Sequence, residues 1–363
     1  MNIAFFVYHP VEPQMYYPLA QKLKRNDTNV IFILFEKECI EEVLLKGMGF
    51  KYFKVNKHPR STFFKILKIF KTIFFVRKLL IQNNIDLIFS ATSVYAGIPA
   101  FLTKSKRIGF TDTETAWLNN FFAAPFFQSI ITPDCFYKRI PSQKHIPIKS
   151  YKELAYLHPS RFLPNGNILN ELSLKSDEKI VLLRFSALNA SHDIGLKSKA
   201  DQDYEKILYY VKELSKYARV FISCTEKELG PEFIEYKLKI HPSQYIHLLS
   251  YCTLYIGEGT TTASEAGVLG VPWINIQEAK RGYLIDQEKN YKLGLRISDL
   301  EKAFEIALEW IKSDDIKLIW QEKRQKLLLD KIDFTTFLVW FIENYPDSHS
   351  IIKNNPDYQN RFK

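Results

Sequence analysis

Residues 256–276, Ile-Gly-Glu-Gly-Thr-Thr-Thr-Ala-Ser-Glu-Ala-Gly-Val-Leu-Gly-Val-Pro-Trp-Ile-Asn-Ile, read as a buried strand, a glycine-hinged turn, a helix of small residues and a second strand. That order implies a sheet with a helix packed across it, which narrows the chain to an α/β fold. Gly257 and Gly259 permit tight backbone geometry at the strand end, and Thr260, Thr261 and Thr262 set hydroxyls beside the unpaired N–H groups of a starting helix. Such a helix start favours an anion, so the expected ligand is a nucleotide diphosphate. Glu265, about one turn into the helix, would reach ribose hydroxyls beside that diphosphate, and Glu258 and Ser264 belong to the same candidate set. The competing reading is that Ala263, Ala266 and Gly267 are small only so that the helix packs closely, with Glu265 solvated.

A chain of 363 residues suggests about two domains. Apolar runs alternate with helical patterns: Ile3 to Tyr8, Tyr16 to Lys24, Val30 to Phe35, Cys39 to Gly47, then Ile85 to Ser90 and Arg107 to Phe110. The pattern restarts after a loop-like region, Ile146 to Asn170, with strands expected at Lys179 to Phe185, Ala218 to Ser223, Thr253 to Ile256 and Trp273 to Ile276. We therefore expect two Rossmann-like domains with parallel sheets facing a central cleft, residues 1–160 and 161–345. Long helices are expected at Leu300 to Lys312 and Ile316 to Asp330, a last helix folding back on the first domain, and a polar, frayed tail over 346–363.

The other expected site residues also fall at strand ends. Arg184, followed by His192 and Asp193, would hold diphosphate oxygens and orient or protonate a leaving phosphate or sugar hydroxyl. The alternative is an exposed arginine and an ordinary turn. In the first half, Tyr8-His-Pro-Val-Glu12 and Phe110-Thr-Asp-Thr-Glu-Thr115 offer Asp112, Glu114 or His9 as a general base. The plain alternative is that Asp112 or Thr113 caps a helix and His9 lies in a turn. Asp201 and Asp203 resemble a metal-binding pair, but acids preceding a helix are favoured by its dipole, and no metal is expected.

The net charge of +10 is partly local: between Lys51 and Lys78 every charged side chain is a lysine or arginine. Within this stretch Lys65, Lys68 and Lys71 alternate with phenylalanines at helical spacing, the pattern of a helix lying on anionic lipid. The alternative is a helix burying Phe64, Leu67, Phe70 and Phe74 against a sheet. No nucleic-acid-binding motif accompanies the charge. No apolar run approaches the ~20 residues of a spanning helix, and the opening strand lacks the form of a signal peptide. Cys39, Cys135, Cys224 and Cys252 are scattered, which fits neither zinc nor a disulfide framework. A cytoplasmic protein is expected, peripheral on the inner face of the cell membrane if residues 51–78 bind lipid.

The chain resembles the uncharacterised family known as domain of unknown function 354, a relative of GT-B glycosyltransferases and non-hydrolysing UDP-GlcNAc 2-epimerases. The resemblance rests on His9-Pro10, Thr111 to Glu114, Glu153 to Phe162, Leu183 to Asp193 and Gly257 to Pro272. It implies a GT-B fold that binds a nucleotide-sugar donor through its C-terminal domain, with Glu265 on the ribose and Gly257 to Thr261 at the diphosphate. It also matches Glu114 to a catalytic glutamate of the epimerases. Those enzymes carry a Gly-Asp where this chain has Ser90-Ala-Thr-Ser93, and their His-Arg-Arg-Glu-Asn run is absent. The expectation is therefore a metal-independent glycosyltransferase acting on a saccharide or lipid-linked acceptor in surface polysaccharide or glycolipid synthesis, without a separate cofactor. The alternatives are a UDP-GlcNAc 2-epimerase-like isomerase or hydrolase, and a non-catalytic nucleotide-sugar or membrane-binding protein.

Overall fold

The computed structural model describes residues 1–25, 28–35, 40–55, 62–185, 204–224, 230–277 and 280–363, the side chains of 40–41, 62–68 and 117–119 excepted. The chain forms two compact units, Met1–His158 with Asp330–Lys363, and Pro159–Leu329.

The first unit is built on a parallel sheet of β1 (Asn2–Val7), β2 (Asn29–Phe35), β3 (Lys51–Val55), β4 (Leu87–Ala91), β5 (Lys106–Phe110), β6 (Ser129–Pro133) and β7 (His145–Ile148). Their order is β3-β2-β1-β4-β5-β6-β7, every pairing parallel. A parallel sheet is covered on both faces, which is why β1 and β2 read as unbroken apolar runs. Alternate residues of β1 serve opposite layers. Phe5 stacks with Tyr16 and Phe32 on one face, while Ala4 and Phe6 join Val76, Leu80, Ala96 and Phe127 on the other.

The helices of this part are α1 (Glu12–Arg25), α2 (Ile40–Met48), α3 (Thr62–Gln82), α4 (Val94–Leu102), α5 (Trp117–Ala123) and α6 (Leu154–Leu157). Of these, α3 corrects the expected register: Ile73, Val76, Leu79 and Leu80 form its packed stripe, whereas Phe70 and Phe74 are exposed. The helix is apolar nearly all round, so spacing alone cannot say which stripe the sheet takes. The side chains of Phe64, Lys65, Leu67 and Lys68 lie outside the described residues.

The second unit holds a five-stranded parallel sheet, β8 (Ile180–Phe185), β9 (Arg219–Cys224), β10 (Leu254–Gly257), β11 (Trp273–Asn275) and β12 (Gly294–Arg296), ordered β12-β11-β10-β8-β9. Its helices are α7 (Asn167–Glu171), α8 (Tyr204–Leu214), α9 (Tyr245–Tyr251), α10 (Thr260–Leu269), α11 (Gly282–Lys289), α12 (Leu300–Lys312) and α13 (Ile316–Asp330). Val181, Leu183, Ile256 and Ile274 face Ile207, Val211, Phe304 and Ala307 in a continuous core.

The chain then returns to the first unit as α14 (Phe334–Glu343), α15 (Asp347–Asn354) and a 3-10 segment, Pro356–Phe362. This corrects the expected second-domain limit at 345 and the frayed tail. Trp340 packs on Tyr358 and Phe362 at ring distances of 5.0 and 5.2 Å. The backbone is fastened too, Asp333 N donating to Phe362 O at 2.7 Å and Lys149 N to Gln359 Oε1 at 2.7 Å. Two rings, Tyr358 and Phe362, packed on Trp340, outweigh the polar composition that suggested fraying. Strands β3, β6, β7 and β12 were not foreseen, and β7 occupies part of the region expected as loop. Short strands of mixed composition carry little periodic signal.

Among the described residues no helix is long and apolar enough to cross a membrane. Cys135, Cys224 and Cys252 are not in disulfides.

Candidate functional site

In each sheet the strand order reverses at one point, and at the carboxyl ends of the strands flanking such a point the neighbouring loops diverge to leave a crevice. In the second unit those strands are β8 and β10, paired so that Gly257 lies opposite Arg184. A methyl group at Gly257 would sit 2.3 Å from the Arg184 carbonyl oxygen, so glycine is required by the approach of two backbones. Neither Gly257 nor Gly259 has a positive φ, and among the described residues the glycines that do are Gly49 and Gly270. The expected reason for these glycines, unusual dihedrals, is thus replaced by steric closeness. At Gly259 the close neighbours are side chains, a methyl there lying 3.2 Å from Arg184 Cδ and 3.0 Å from the Tyr255 hydroxyl.

Gly259 is also the N-cap of α10 and brings no capping side chain. The first turn, Thr260 to Thr262, therefore presents main-chain donors of the kind that bind anions. The start of the helix is held from two sides: Tyr255 Oη donates to Gly259 O at 3.2 Å and Tyr283 Oη to Thr260 Oγ1 at 3.3 Å. Its other end is a left-handed Gly270 at φ 75°, whose following residue bonds back to Ala266 O at 2.8 Å.

Arg184 runs past this helix start, its guanidinium 5.4 Å from the Tyr245 ring centre. Burial opposes its charge, but Tyr245, Tyr255 and Glu265 outweigh burial and hold its pKa above the ordinary arginine value. Near neutrality both phenols are un-ionised, so among the described residues that raise it Glu265 is the acid. Glu265 is buried, with only 6% of its surface exposed, so it is not the solvated acid of the plain reading. Thr260, Thr261, Glu258 and Gly259 are half-buried, and Thr262 is buried. Ser264 is fully buried, and its hydroxyl accepts from Gln287 Nε2 at 2.9 Å, so it locks α10 to α11 instead of facing a ligand. His192 and Asp193, like Asp201 and Asp203, lie outside the described residues.

In the first unit the reversal lies between β1 and β4; the loop after β1 carries the expected His9, and the loop after β5 carries the expected Asp112 and Glu114. Asp112 is buried and paired with Lys152, Oδ2 to Nζ 2.6 Å. The same ammonium lies 3.8 Å from Glu153 Oε1. Asp112 is therefore an ion-pair partner, and α5, which starts at Trp117, has no side-chain cap. Glu114, two residues on, is buried in a 3-10 turn, Glu114–Ala116.

His9 is exposed and its Nδ1 accepts from Val11 N at 3.4 Å, which makes it a turn residue. The residue that the turn serves is Glu12, whose Oε2 accepts from Tyr8 N at 2.5 Å and His9 N at 3.1 Å. Burial pushes the Glu12 carboxyl up to about 7, with Asp112 adding to it and the two N–H groups and Lys152 opposing it. Glu12, Lys152 and Glu153 thus join Asp112 in a buried charged cluster, in which Lys152 pairs with Asp112 and lies near Glu153 and Glu12. Sequence reading did not single them out, because a buried lysine looks like any other. The only hint was that Glu12 and Glu153 fell inside stretches already set apart. Tyr245 and Tyr255 were missed for the same reason.

Taken together, two parallel α/β units with loop sites at the carboxyl ends of their strands define a GT-B-like fold. The chain belongs to the DUF354 family of proteins of unknown function, whose model matches residues 12–337. No curated protein matches it. Among solved structures it is similar to the S. aureus MnaA–UDP complex, with 12% identity over 96% of this chain and 97% of that one and a TM-score of 0.67. It is also similar to UDP-GlcNAc 2-epimerase from Neisseria meningitidis bound to UDP-GlcNAc, with 13% identity, 98% and 99% coverage and a TM-score of 0.65. A third similar structure is the spinosyn rhamnosyltransferase SpnG complexed with spinosyn aglycone, with 12% identity, 95% and 100% coverage and a TM-score of 0.58. At such identities the likeness establishes the fold.

Proposed function

We propose that this protein is a glycosyltransferase that takes its sugar from a nucleotide diphosphate carrier, a UDP-sugar, and acts in surface polysaccharide or glycolipid synthesis. The observation that carries the reading is the side chain of Arg184 passing the amino end of α10, where Gly259 brings no cap, with buried Glu265 beside it. Amides of the first turn and the guanidinium would neutralise charge building on the departing diphosphate, which is electrostatic catalysis without a metal. Glu265 would anchor the ribose. In the first unit Asp112 or Glu114 would accept the proton of the acceptor hydroxyl, while His9, exposed and bonded to its own turn, is the weakest of the three. The solved complexes with UDP and UDP-GlcNAc support the donor class.

A second reading, a UDP-GlcNAc 2-epimerase-like enzyme, is favoured by one observation. The epimerase of Neisseria meningitidis superposes with a TM-score of 0.65, against 0.58 for the rhamnosyltransferase. Incubating the purified protein with UDP-GlcNAc alone and following the sugar by NMR separates the two. Transfer predicts an unchanged sugar until an acceptor is added. Inversion at carbon 2, or release of UDP without acceptor, overturns it.

Peripheral attachment to anionic membrane is part of the same proposal. On α3 the exposed side chains include Phe70, Lys71, Phe74, Phe75 and Lys78, a mixed aromatic and basic face facing solvent.

A further inference from the structure

The first unit contains a cavity of about 620 Å3 between the segment Asn120–Phe126 and the segment Phe136–Lys144 that joins β6 to β7. Its walls are hydrocarbon, chiefly Phe122, Phe126, Phe136 and Ile140. Its charged lining residues are Lys138, Arg139 and Lys144, with no acid among them. Lys144 is fixed in place, donating to the carbonyls of Ala124 at 3.0 Å and Pro125 at 2.9 Å. Lys138 and Arg139 are exposed.

An apolar chamber of this size ringed by cations of one sign suits a molecule with a hydrocarbon end and an anionic head. A bare anion would leave the phenylalanine walls unfilled, and a neutral hydrocarbon would leave the charges of Lys138 and Arg139 facing solvent. Two further features extend the site. Phe121 and Phe122 are 68% and 62% exposed and meet edge to face at 5.5 Å, an apolar pair held in water. The wall also continues through Phe126 onto exposed Phe101 of α4, ring centres 5.9 Å apart, and α4 packs against α3 with its own exposed phenylalanines.

The cavity is tied to the buried charged cluster through Asn120. This residue lines the cavity, and its Nδ2 donates to Thr111 Oγ1 at 3.2 Å and Thr113 O at 3.4 Å, the loop that carries Asp112 and Glu114. The hydroxyl of Thr92 donates to the other side of the same amide.

We propose that this cavity binds the hydrocarbon chain of a phosphate-bearing lipid, with the phosphate on Lys138 and Arg139, and that this lipid is the acceptor class. The acceptor role rests on the transferase reading, whereas binding does not.

Calorimetry with decyl phosphate below its micelle concentration tests the idea. One equivalent binds the wild-type protein at least 10-fold more tightly than inorganic phosphate or decanol. Phe122→Asp, and separately the pair Lys138→Glu with Arg139→Glu, each weaken it at least 10-fold. All these side chains are exposed, and melting temperature and UDP binding remain as in the wild type. No heat with decyl phosphate, equal affinity for inorganic phosphate or for decanol, or full affinity in both variants overturns the proposal. A UDP titration of the same sample keeps the two readings apart. UDP binding without decyl phosphate binding removes the lipid site and leaves the donor site. Decyl phosphate binding without UDP binding does the reverse.

Discussion

The two units solve the same topological problem with different chemistry. At the strand reversal of the second, the polar groups are main-chain amides, tyrosine hydroxyls and one arginine balanced by Glu265. At the reversal of the first they are carboxylates gathered around Lys152. Amides and an arginine keep their state across the physiological pH range, so the second site suits holding a charged ligand. A buried acid cluster has a state that depends on its neighbours, so the first suits moving a proton.

The sharpest way to break this contrast is Lys152→Met. Removing the ammonium 2.6 Å from Asp112 and 3.8 Å from Glu153 breaks a buried ion pair, and about 3–5 kcal/mol of stability should disappear in urea unfolding. A loss under 1 kcal/mol would mean the cluster is hydrated and the contrast is false.

Next comes pH. Folding raises the Glu12 carboxyl from 4.5 to about 7, so between those values the folded state keeps a proton that the unfolded chain has released. Stability therefore falls as pH rises across that window, by up to roughly 3 kcal/mol, and is level above it. Glu12→Gln should remove this slope and gain on the wild type as pH increases from 5 to 8. Parallel curves for the two proteins would show that Glu12 is not perturbed.

In the second unit Arg184→Lys, which keeps a cation near buried Glu265 but loses the guanidinium fork, should lower turnover of a nucleotide-sugar substrate about 100-fold, or roughly 3 kcal/mol in the barrier. Unaltered kcat/KM would remove the electrostatic role. Gly257→Ala sharpens the same point from the backbone side. Its methyl meets the Arg184 carbonyl, and about 1–3 kcal/mol of destabilisation is expected from thermal melts. The smallest effect is on the face of α3, where Lys71→Glu and Lys78→Glu should each cost about 1 kcal/mol of binding to vesicles of anionic lipid. Unchanged co-sedimentation would show that the face serves something else.

Much of this was legible in the chain itself. The strand-turn-helix-strand segment ending at Ile276, the positions of Arg184, Asp112 and Glu114 at strand ends, and the α/β class all follow from local patterns. What escaped had a common cause. Ser264 was grouped with its threonine neighbours by sequence, yet Gln287, from the next helix, takes its hydroxyl. His9 looked like a base beside Glu12, yet it is Glu12 that the turn encloses.

By itself, then, the sequence determined the alternation of strands and helices, the glycine turns and the set of loops able to carry chemistry. These depend on periodicity and backbone sterics within a few residues. Only the tertiary structure decided that residues 12, 112 and 152 share one buried cluster, that Tyr245 and Tyr255 flank Arg184, and which stripe of α3 is hidden. Burial and charge pairing arise between segments distant along the chain, and desolvation acts only once the packing exists.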